Sequence, residues 1–212
     1  QTHDCTPTLT DSQVVDFCAT GFVMLEGVVP QEINNRVTAY LNEHDTGEPT
    51  EILDEDWFVD NVILNEAAAG TVRSLLGNHF HIPVLMSNHR RQCPHTVVGG
   101  WHVDGGSLFG PELNDLQVFY LPQDTPVELG PTQIVPGSHH WRNQQRYMAH
   151  YDGIRDAFST TSPAGSIFIT DYSIWHRATT ATESGLRNML KYVYWRTVPP
   201  QRDWISESGF NL

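Results

Sequence analysis

The stretch Gly99–Gly106, GGWHVDGG, places an imidazole and a carboxylate two residues apart between pairs of glycines. On an extended segment, residues i and i+2 project to the same face, so the side chains of His102 and Asp104 can converge on one point. Two histidines and one carboxylate occupy one face of an octahedral ion and leave three positions open, which suits non-haem Fe(II) and oxygen chemistry. His176, in the stretch AGSIFITDYSIWHRA, is the candidate for the second histidine.

The spacing of His102 and Asp104 is by itself a weak signal. The chain has 11 histidines and 14 aspartates in 212 residues, so roughly 0.7 such pairs are expected by chance. A second pair, His150-Tyr151-Asp152, does occur in a polar segment. We interpret that second pair as part of a solvated loop, and an isolated pair of this kind is more often a turn than two metal ligands. The surroundings of each pair must therefore distinguish them.

The first third of the chain has helical patterns. A capping signal at 9–12 followed by apolar residues predicts a first helix, and Gly21 then precedes a short β-type run at 22–25. Pro30 opens a second helix within 9–44, and a third helix is predicted from Glu66 to Leu76, ending at Gly77.

Beyond residue 80 the sequence changes to short β-type runs separated by glycine and proline turns. The predicted runs are 83–87, 116–121, 133–135, 166–169 and 189–196. Many short strands joined in this way predict a sandwich or jelly roll. We therefore expect a single domain over 1–212 that is mainly β, with a helical part at about 9–78 and a jelly-roll body at about 80–198.

Charge and cysteine usage restrict the partners and the compartment. The formal net charge is −13, which would repel nucleic acid and anionic membranes. No apolar run approaches the length of a membrane span. The three cysteines form no CxxC pair, which argues against a disulfide framework and a thiolate zinc site and favours a reducing, cytoplasmic compartment.

Four stretches in the same order resemble the phytanoyl-CoA dioxygenase family of Fe(II)/2-oxoglutarate oxygenases. They are LTDSQVVDFCATGFVMLEGVVPQEI, WHVDGG, LGPTQIVPGSHHW and AGSIFITDYSIWHRATTATESGLRNML. The third stretch departs from the family at Glu128-Leu129, where the family often has Glu-Asn. The four stretches are spread along nearly the whole sequence, from residue 9 to residue 190.

The resemblance implies a double-stranded β-helix, a cupin-like jelly roll, in which His102, Asp104 and His176 bind Fe(II). It also implies that 2-oxoglutarate takes two open metal positions and O2 the third, with succinate and CO2 as products. Arg187 follows His176 by eleven residues and is the expected anchor of the far carboxylate, since a guanidinium matches carboxylate geometry better than an ammonium does. Halogenating relatives replace the carboxylate ligand with a small residue, so Asp104 favours hydroxylation, with desaturation and ring closure left open.

Other residues of the cosubstrate site follow from the same resemblance. Phe119 stands where the family usually has a tryptophan beside the cosubstrate, so it is expected to form a wall of that site; a simple core aromatic is the alternative. Thr170 or Thr179 would supply a hydroxyl to the carboxylate, and Thr179 is included in the candidate site. His139 matches a family histidine that is generally not a ligand, so we expect it to have a structural role.

The prime substrate is expected to be a small molecule, because a chain of 212 residues has little room for covering insertions. Arg90 or Arg91 is a candidate contact for a substrate carboxylate, with pairing to surface acids as the alternative. Two other functions remain open. One is a cupin-like metal enzyme that does not use 2-oxoglutarate and in which Arg187 is dispensable. The other is a non-catalytic jelly roll that binds a metal or ligand.

Overall fold

The computed structural model describes residues 1–104, 112–141 and 150–199. The helices are α1 (Asp11–Thr20), α2 (Gln31–Glu43), α3 (Asp56–Phe58) and α4 (Glu66–Leu76). The strands are β1 (Thr2–His3), β2 (Phe22–Leu25), β3 (Phe80–His81), β4 (Ser87–Asn88), β5 (Arg91–His95), β6 (Asp115–Leu121), β7 (Gln133–Ile134), β8 (Phe158–Ser159), β9 (Ser166–Asp171), β10 (His176–Arg177), β11 (Ala181–Arg187) and β12 (Leu190–Trp195). In this part of the chain, no helix has the length and apolar content needed to cross a bilayer.

The ends of the helices follow the expected capping chemistry. Thr10 and Gln13 form a capping box at the start of α1, and Gly21 ends that helix with a φ of 80°, a conformation that favours glycine. At α4, the Asn65 side chain accepts hydrogen bonds from the first-turn amides, and Gly77 follows the last helical residue. The predicted helix from Glu66 to Leu76 is therefore confirmed.

The larger sheet contains seven antiparallel strands in the order β1-β3-β12-β6-β9-β2, with β4 also paired to β12. The runs predicted at 116–121, 166–169 and 189–196 correspond to β6, β9 and β12. The run predicted at 83–87 is wrong, because the only strand there is Ser87–Asn88. Val84 and Leu85 are exposed, and Pro83 has no amide hydrogen for a strand ladder.

The second layer of strands is smaller and less regular. It consists of β10-β7-β8 and the pair β11-β5, and an isolated bridge joins His102 to His176 on β10. The run predicted at 133–135 corresponds to β7. The ring centroids of Phe119 on β6 and His176 on β10 lie 6.1 Å apart, so the two layers face each other. This is the mainly β architecture with N-terminal helices that the sequence predicts.

Alternation along β6 and β12 divides their side chains between two environments. One apolar core contains residues of α1, α2 and α4 together with Leu116, Val118 and Tyr120 of β6 and Tyr192 and Tyr194 of β12. The helical part and the main sheet thus bury the same hydrophobic core. The intervening side chains of β6 and β12 point the other way, into the space between the two layers.

A buried polar contact attaches α2 to the main sheet. The Tyr120 hydroxyl donates to Asn34 Oδ1 at 2.6 Å, and Asn34 Nδ2 donates to the Val29 carbonyl at 3.1 Å. Gly165 lies against the same group with a φ of 82°, and a Cβ there would lie 2.3 Å from the Val29 carbonyl oxygen. Only glycine fits this approach without displacement of the backbone.

Candidate metal centre

Two neighbouring backbone segments hold His102 and His176 side by side. The His102 amide donates to the His176 carbonyl at 3.1 Å, and the His176 amide donates to the His102 carbonyl at 2.9 Å. The two ring centroids lie 4.3 Å apart. Asp104 completes a group in which one ligand atom from each residue lies within 4.8 Å of the others. The structure thus brings together the three residues predicted as metal ligands.

Backbone carbonyls fix the orientation of both imidazoles. His102 Nδ1 lies 2.8 Å from the Gly100 carbonyl oxygen, and His176 Nδ1 lies 3.1 Å from the Ile174 carbonyl oxygen. Because a carbonyl accepts, each Nδ1 carries a hydrogen, which leaves Nε2 as the nitrogen that can bind a metal, as in histidines that bind metals. His176 Nε2 lies 3.7 Å from Asp104 Oδ2. Two imidazoles and a carboxylate are a donor set that fits Fe(II).

The electrostatics of the group favour the metal-binding protonation states. Burial, followed by the neighbouring His102 ring, lowers the pKa of His176 to about 4. Burial alone would raise the pKa of Asp104, but His176 and Lys191 outweigh it and hold the pKa below the usual value of 3.8. A neutral ring and an ionised carboxylate are therefore both present near pH 7.

Two residues that the sequence analysis did not single out contact Asp104. Gln117 on β6 donates a hydrogen bond from Nε2 to Asp104 Oδ2, and Lys191 Nζ lies 3.0 Å from the same oxygen. Gln117 is fully buried in the otherwise apolar run LQVFYL, and this polar exception was a signal in the sequence. Lys191 had a different signal, since it is the only lysine in the chain.

Arg187 is a buried cation that pairs with no carboxylate in the part of the chain that the structure describes. Its side chain is 3% exposed, and among the residues that the structure describes its one hydrogen bond runs to the Gly130 carbonyl. Its Nε is buried and has no partner. Burial lowers the pKa of Arg187, but an arginine stays charged in proteins. Because an unpaired buried charge is costly, this guanidinium fits an anionic ligand such as the far carboxylate of 2-oxoglutarate.

Apolar residues connect Arg187 with the histidines. Met189, two residues after Arg187, packs with Phe119 and Phe168 inside the layers. Phe119 stacks on Phe168 with centroids 4.4 Å apart and meets the His176 ring edge-to-face. Phe119 therefore lies beside a proposed metal ligand, the location expected for a wall of the cosubstrate site. Its contact with cosubstrate stays a prediction.

The two candidate threonines differ in their surroundings. The Thr179 hydroxyl donates to the Pro131 carbonyl at 2.6 Å, so its hydrogen is already engaged. The Thr170 hydroxyl is fully buried and donates to the Gln117 carbonyl at 3.4 Å. A third hydroxyl, that of Thr132, points to the Met189 sulfur at 3.5 Å and was not considered from the sequence. The assignment of Thr179 to the cosubstrate stays a prediction.

The remaining histidines lie outside the metal group. His139 Nε2 lies 3.0 Å from the Cys18 carbonyl oxygen, which agrees with a structural role for this ring. His150 and Asp152 of the second pair are both exposed, and they are not among the residues that converge in the described part of the chain. The surroundings thus separate the two pairs, as the sequence argument required.

The adjacent arginines Arg90 and Arg91 have different environments. Arg90 Nε lies 3.1 Å from Asp45 Oδ1, and its Nη1 donates to the Leu41 carbonyl, so it joins α2 to the sheet. Arg91 lies directly opposite Arg187 in the β5–β11 pair and is exposed. Arg90 therefore follows the alternative interpretation, pairing with an acidic residue at the surface.

Comparison with known proteins agrees with this geometry. The sequence model of the family described as Phytanoyl-CoA dioxygenase (PhyH) matches residues 26–189. No curated protein matches the chain.

Solved structures share the fold at low sequence identity. HygX from Streptomyces hygroscopicus with nickel and 2-oxoglutarate bound matches with a TM-score of 0.71 and 17% identity, covering 92% of this chain and 89% of that one. SnoK, a non-heme alpha ketoglutarate dependent carbocyclase from nogalamycin biosynthesis, matches with a TM-score of 0.68 and 17% identity, covering 95% and 91%. EctD from S. alaskensis in its apoform matches with a TM-score of 0.69 and 15% identity, covering 92% and 84%. The double-stranded β-helix expected from the sequence is confirmed.

Proposed function

Since the chain belongs to the phytanoyl-CoA dioxygenase family of Fe(II)/2-oxoglutarate oxygenases, we propose that it hydroxylates an unactivated C–H bond of a small molecule. His102, Asp104 and His176 hold the Fe(II), and Arg187 binds the far carboxylate of 2-oxoglutarate. When bound, Fe(II), 2-oxoglutarate and O2 supply the oxidising chemistry, in which 2-oxoglutarate is converted to succinate and CO2.

The convergence of the three ligand atoms within 4.8 Å is the observation that carries this proposal. The protein's own contribution is placement. The paired backbones of His102 and His176 fix both rings, and Gln117 holds the Asp104 carboxylate. Phe119, which stacks on Phe168, covers one side of the His176 ring, and an apolar neighbour strengthens the electrostatic interactions there.

The outcome at the substrate is the finer part of the proposal. A carbocyclase, SnoK, shares this fold, so fold alone does not select hydroxylation. Retention of Asp104 as the carboxylate ligand supports hydroxylation, because halogenating relatives have a small residue at that position. HygX has been solved with hygromycin B bound, and we propose a small molecule as the substrate here too. We also propose that residues 1–212 form one domain, because α1, α2 and α4 share a core with the main sheet.

Uncoupled turnover tests the proposed reaction before the substrate is known. The measurement is O2-dependent formation of succinate from 2-oxoglutarate by the Fe(II)-loaded protein, alone and with a panel of small molecules. We expect slow succinate formation that a substrate accelerates and that His102→Ala abolishes. A substrate-dependent product with one added oxygen supports hydroxylation, whereas a product that has lost two hydrogens indicates desaturation or ring closure.

Metal binding without 2-oxoglutarate turnover would favour the cupin-like alternative or the non-catalytic one. Arg187→Ala separates these outcomes from the proposed reaction. Under the proposed function this change raises the concentration of 2-oxoglutarate that is needed for turnover, and under the alternatives it has no effect on metal binding or on any other activity.

A further inference from the structure

Lys191 is the only lysine among the 212 residues, and the fold directs it into the space between the two layers. It stands on β12 directly opposite Phe119 on β6. Its neighbours Leu190 and Tyr192 are buried in the helix-side core, so alternation places the Lys191 side chain on the opposite face. The side chain is 19% exposed, so Lys191 is not sealed within the core.

The ammonium lies next to the proposed metal ligands. Lys191 Nζ is 3.0 Å from Asp104 Oδ2, and His176 Nε2 is 3.7 Å from that same oxygen. Arg187 lies four residues earlier in the chain, at the end of β11, and its Nε has no partner among the described residues, so its guanidinium is available for the far end of 2-oxoglutarate. Lys191 is therefore a second cation inside the site, at the metal end.

A divalent metal on Asp104 changes the electrostatics around this ammonium. The metal shares the carboxylate charge, so the attraction between Asp104 and Lys191 falls while the metal and the ammonium repel each other. Gln117 also donates to Asp104 Oδ2, so the carboxylate keeps a neutral donor if the ammonium turns away. A second carboxylate beside both cations would relieve the repulsion and accept a charge-assisted hydrogen bond.

We propose that Lys191 binds a ligand carboxylate at the metal end of the site. This inference rests on the proposed function. Two sources share the chemistry: the carboxylate of 2-oxoglutarate adjacent to its 2-oxo group, and a carboxylate of the prime substrate. Lys191 is a binding residue under either source, whereas an ammonium that only neutralises Asp104 would contact no ligand.

The single lysine allows the ammonium to be observed directly. Reductive methylation with ¹³C-formaldehyde labels Lys191 and the amino terminus, and the Lys191→Arg variant identifies which NMR signal belongs to Lys191. Zn(II) serves as a diamagnetic metal. Zn(II) alone gives the reference shift of the Lys191 signal. We expect a further shift when 2-oxoglutarate is added to the Zn(II) protein, or when a test carboxylate is added to the complex of Zn(II) and 2-oxoglutarate.

Calorimetry on the Ni(II)-loaded protein distinguishes the two sources. The variants are Lys191→Met, which removes the charge, Lys191→Arg, which keeps it, and Arg155→Met as the control. Arg155 is 95% exposed, so this control also removes one positive charge, but from a solvated surface position. The ligands are 2-oxoglutarate and 2-oxobutyrate, which lacks the far carboxylate, and then hexanoate and hexanamide added to the 2-oxoglutarate complex.

If the carboxylate belongs to 2-oxoglutarate, Lys191→Met weakens the binding of both 2-oxo acids about tenfold to a hundredfold. This factor corresponds to the free energy that one hydrogen bond to a charged group contributes. Lys191→Arg then retains most of the affinity, and Arg155→Met changes nothing. If it belongs to the substrate, Lys191→Met leaves both 2-oxo acids unchanged but abolishes binding of hexanoate, while hexanamide binds to none of the proteins.

Two results would overturn the inference, and they differ from each other. In the first, 2-oxoglutarate binds normally to wild type, Lys191→Met has no effect on any ligand, and the labelled amine does not respond. This result would mean that Lys191 pairs with Asp104 alone. No binding of 2-oxoglutarate to the metal-loaded wild type contradicts the proposed function, and the inference fails with it.

Discussion

His102 and His176 are hydrogen-bonded to each other through their backbones in both directions, at 3.1 and 2.9 Å. The two residues are 74 positions apart in the chain, and this bridge holds their rings at 4.3 Å. Because this bridge consists of backbone hydrogen bonds, the fold itself positions two of the three proposed ligands. A preformed site loses less conformational entropy on binding than a flexible one.

The two His-x-Asp pairs should respond differently to mutation. We expect His102→Ala to weaken binding of Ni(II) or Co(II) by at least about a hundredfold, since even loss of a group that only supports a metal ligand costs 10- to 100-fold. His150→Ala is the matched control and should leave the affinity unchanged. Equilibrium dialysis with metal analysis measures both. A loss of affinity confined to His150→Ala would contradict this assignment and place the metal at the pair of His150 and Asp152.

Removal of the Arg187 guanidinium should affect the cosubstrate and not the metal. We expect Arg187→Ala to raise the KM for 2-oxoglutarate about 10- to 100-fold, because a charged hydrogen-bonding partner is lost. Arg187→Lys should recover only part of this, since an ammonium cannot form the bidentate contact. Steady-state succinate formation provides the measurement, with Arg155→Ala as the surface control. An unchanged KM in Arg187→Ala would remove this residue from the cosubstrate site.

The low pKa of His176, about 4, predicts how stability varies with pH in the metal-free protein. A histidine in the unfolded chain has a pKa near 6.5, so between pH 6.5 and 4 the unfolded state binds the proton and the folded state does not. Acidification through this range therefore destabilises the fold. We expect the pH dependence in His176→Asn to be weaker than in wild type by up to about 1.4 kcal/mol per pH unit, which corresponds to one proton.

Urea unfolding at several pH values between 4 and 7 measures this difference. His150→Asn, at an exposed position, serves as the control and should retain the pH dependence of the wild type. Equal slopes for His176→Asn and wild type would mean that His176 is protonated alike in the folded and unfolded states, contrary to the burial seen here.

The contact between α2 and the main sheet should contribute measurably to stability. Tyr120→Phe removes the hydrogen on Asn34 Oδ1 in a buried position, and we expect it to lower the free energy of unfolding by about 1–3 kcal/mol. Tyr151→Phe, at an exposed tyrosine, should have no effect. Denaturant unfolding compares the two. Equal stability of both variants would show that the Asn34 contact is replaced by another donor.

Local chemistry explains which elements could be predicted from the sequence. The capping box at Thr10 and the asparagine cap of α4 are short-range signals, and both helices begin where those residues stand. The apolar runs of β6 and β9 are recognisable because both of their faces are buried, and β12 is recognisable by its alternation of buried and half-buried residues. By contrast, β5 and β11 consist of the polar sequences RQCPH and ATESGLR, and only long-range pairing makes them strands.

The site shows the same division. The ligand candidates came from a spacing and a family motif, and these carry His102, Asp104, His176 and Arg187. Gln117 and Lys191 belong to no motif, and their contacts with Asp104 depend on the register of β6 against β12. A one-residue shift in that register would turn one of these two side chains to the opposite face of the sheet. The sequence alone does not specify this register, so these two residues were missed.

The most direct test of the central claim is anaerobic optical titration of the metal-free protein with Fe(II) and 2-oxoglutarate. We predict a weak visible charge-transfer band that needs both additions and that is lost in His102→Ala and weakened in Arg187→Ala. Tight Fe(II) binding without such a band would contradict the account, because 2-oxoglutarate would then not bind at the metal held by His102, Asp104 and His176.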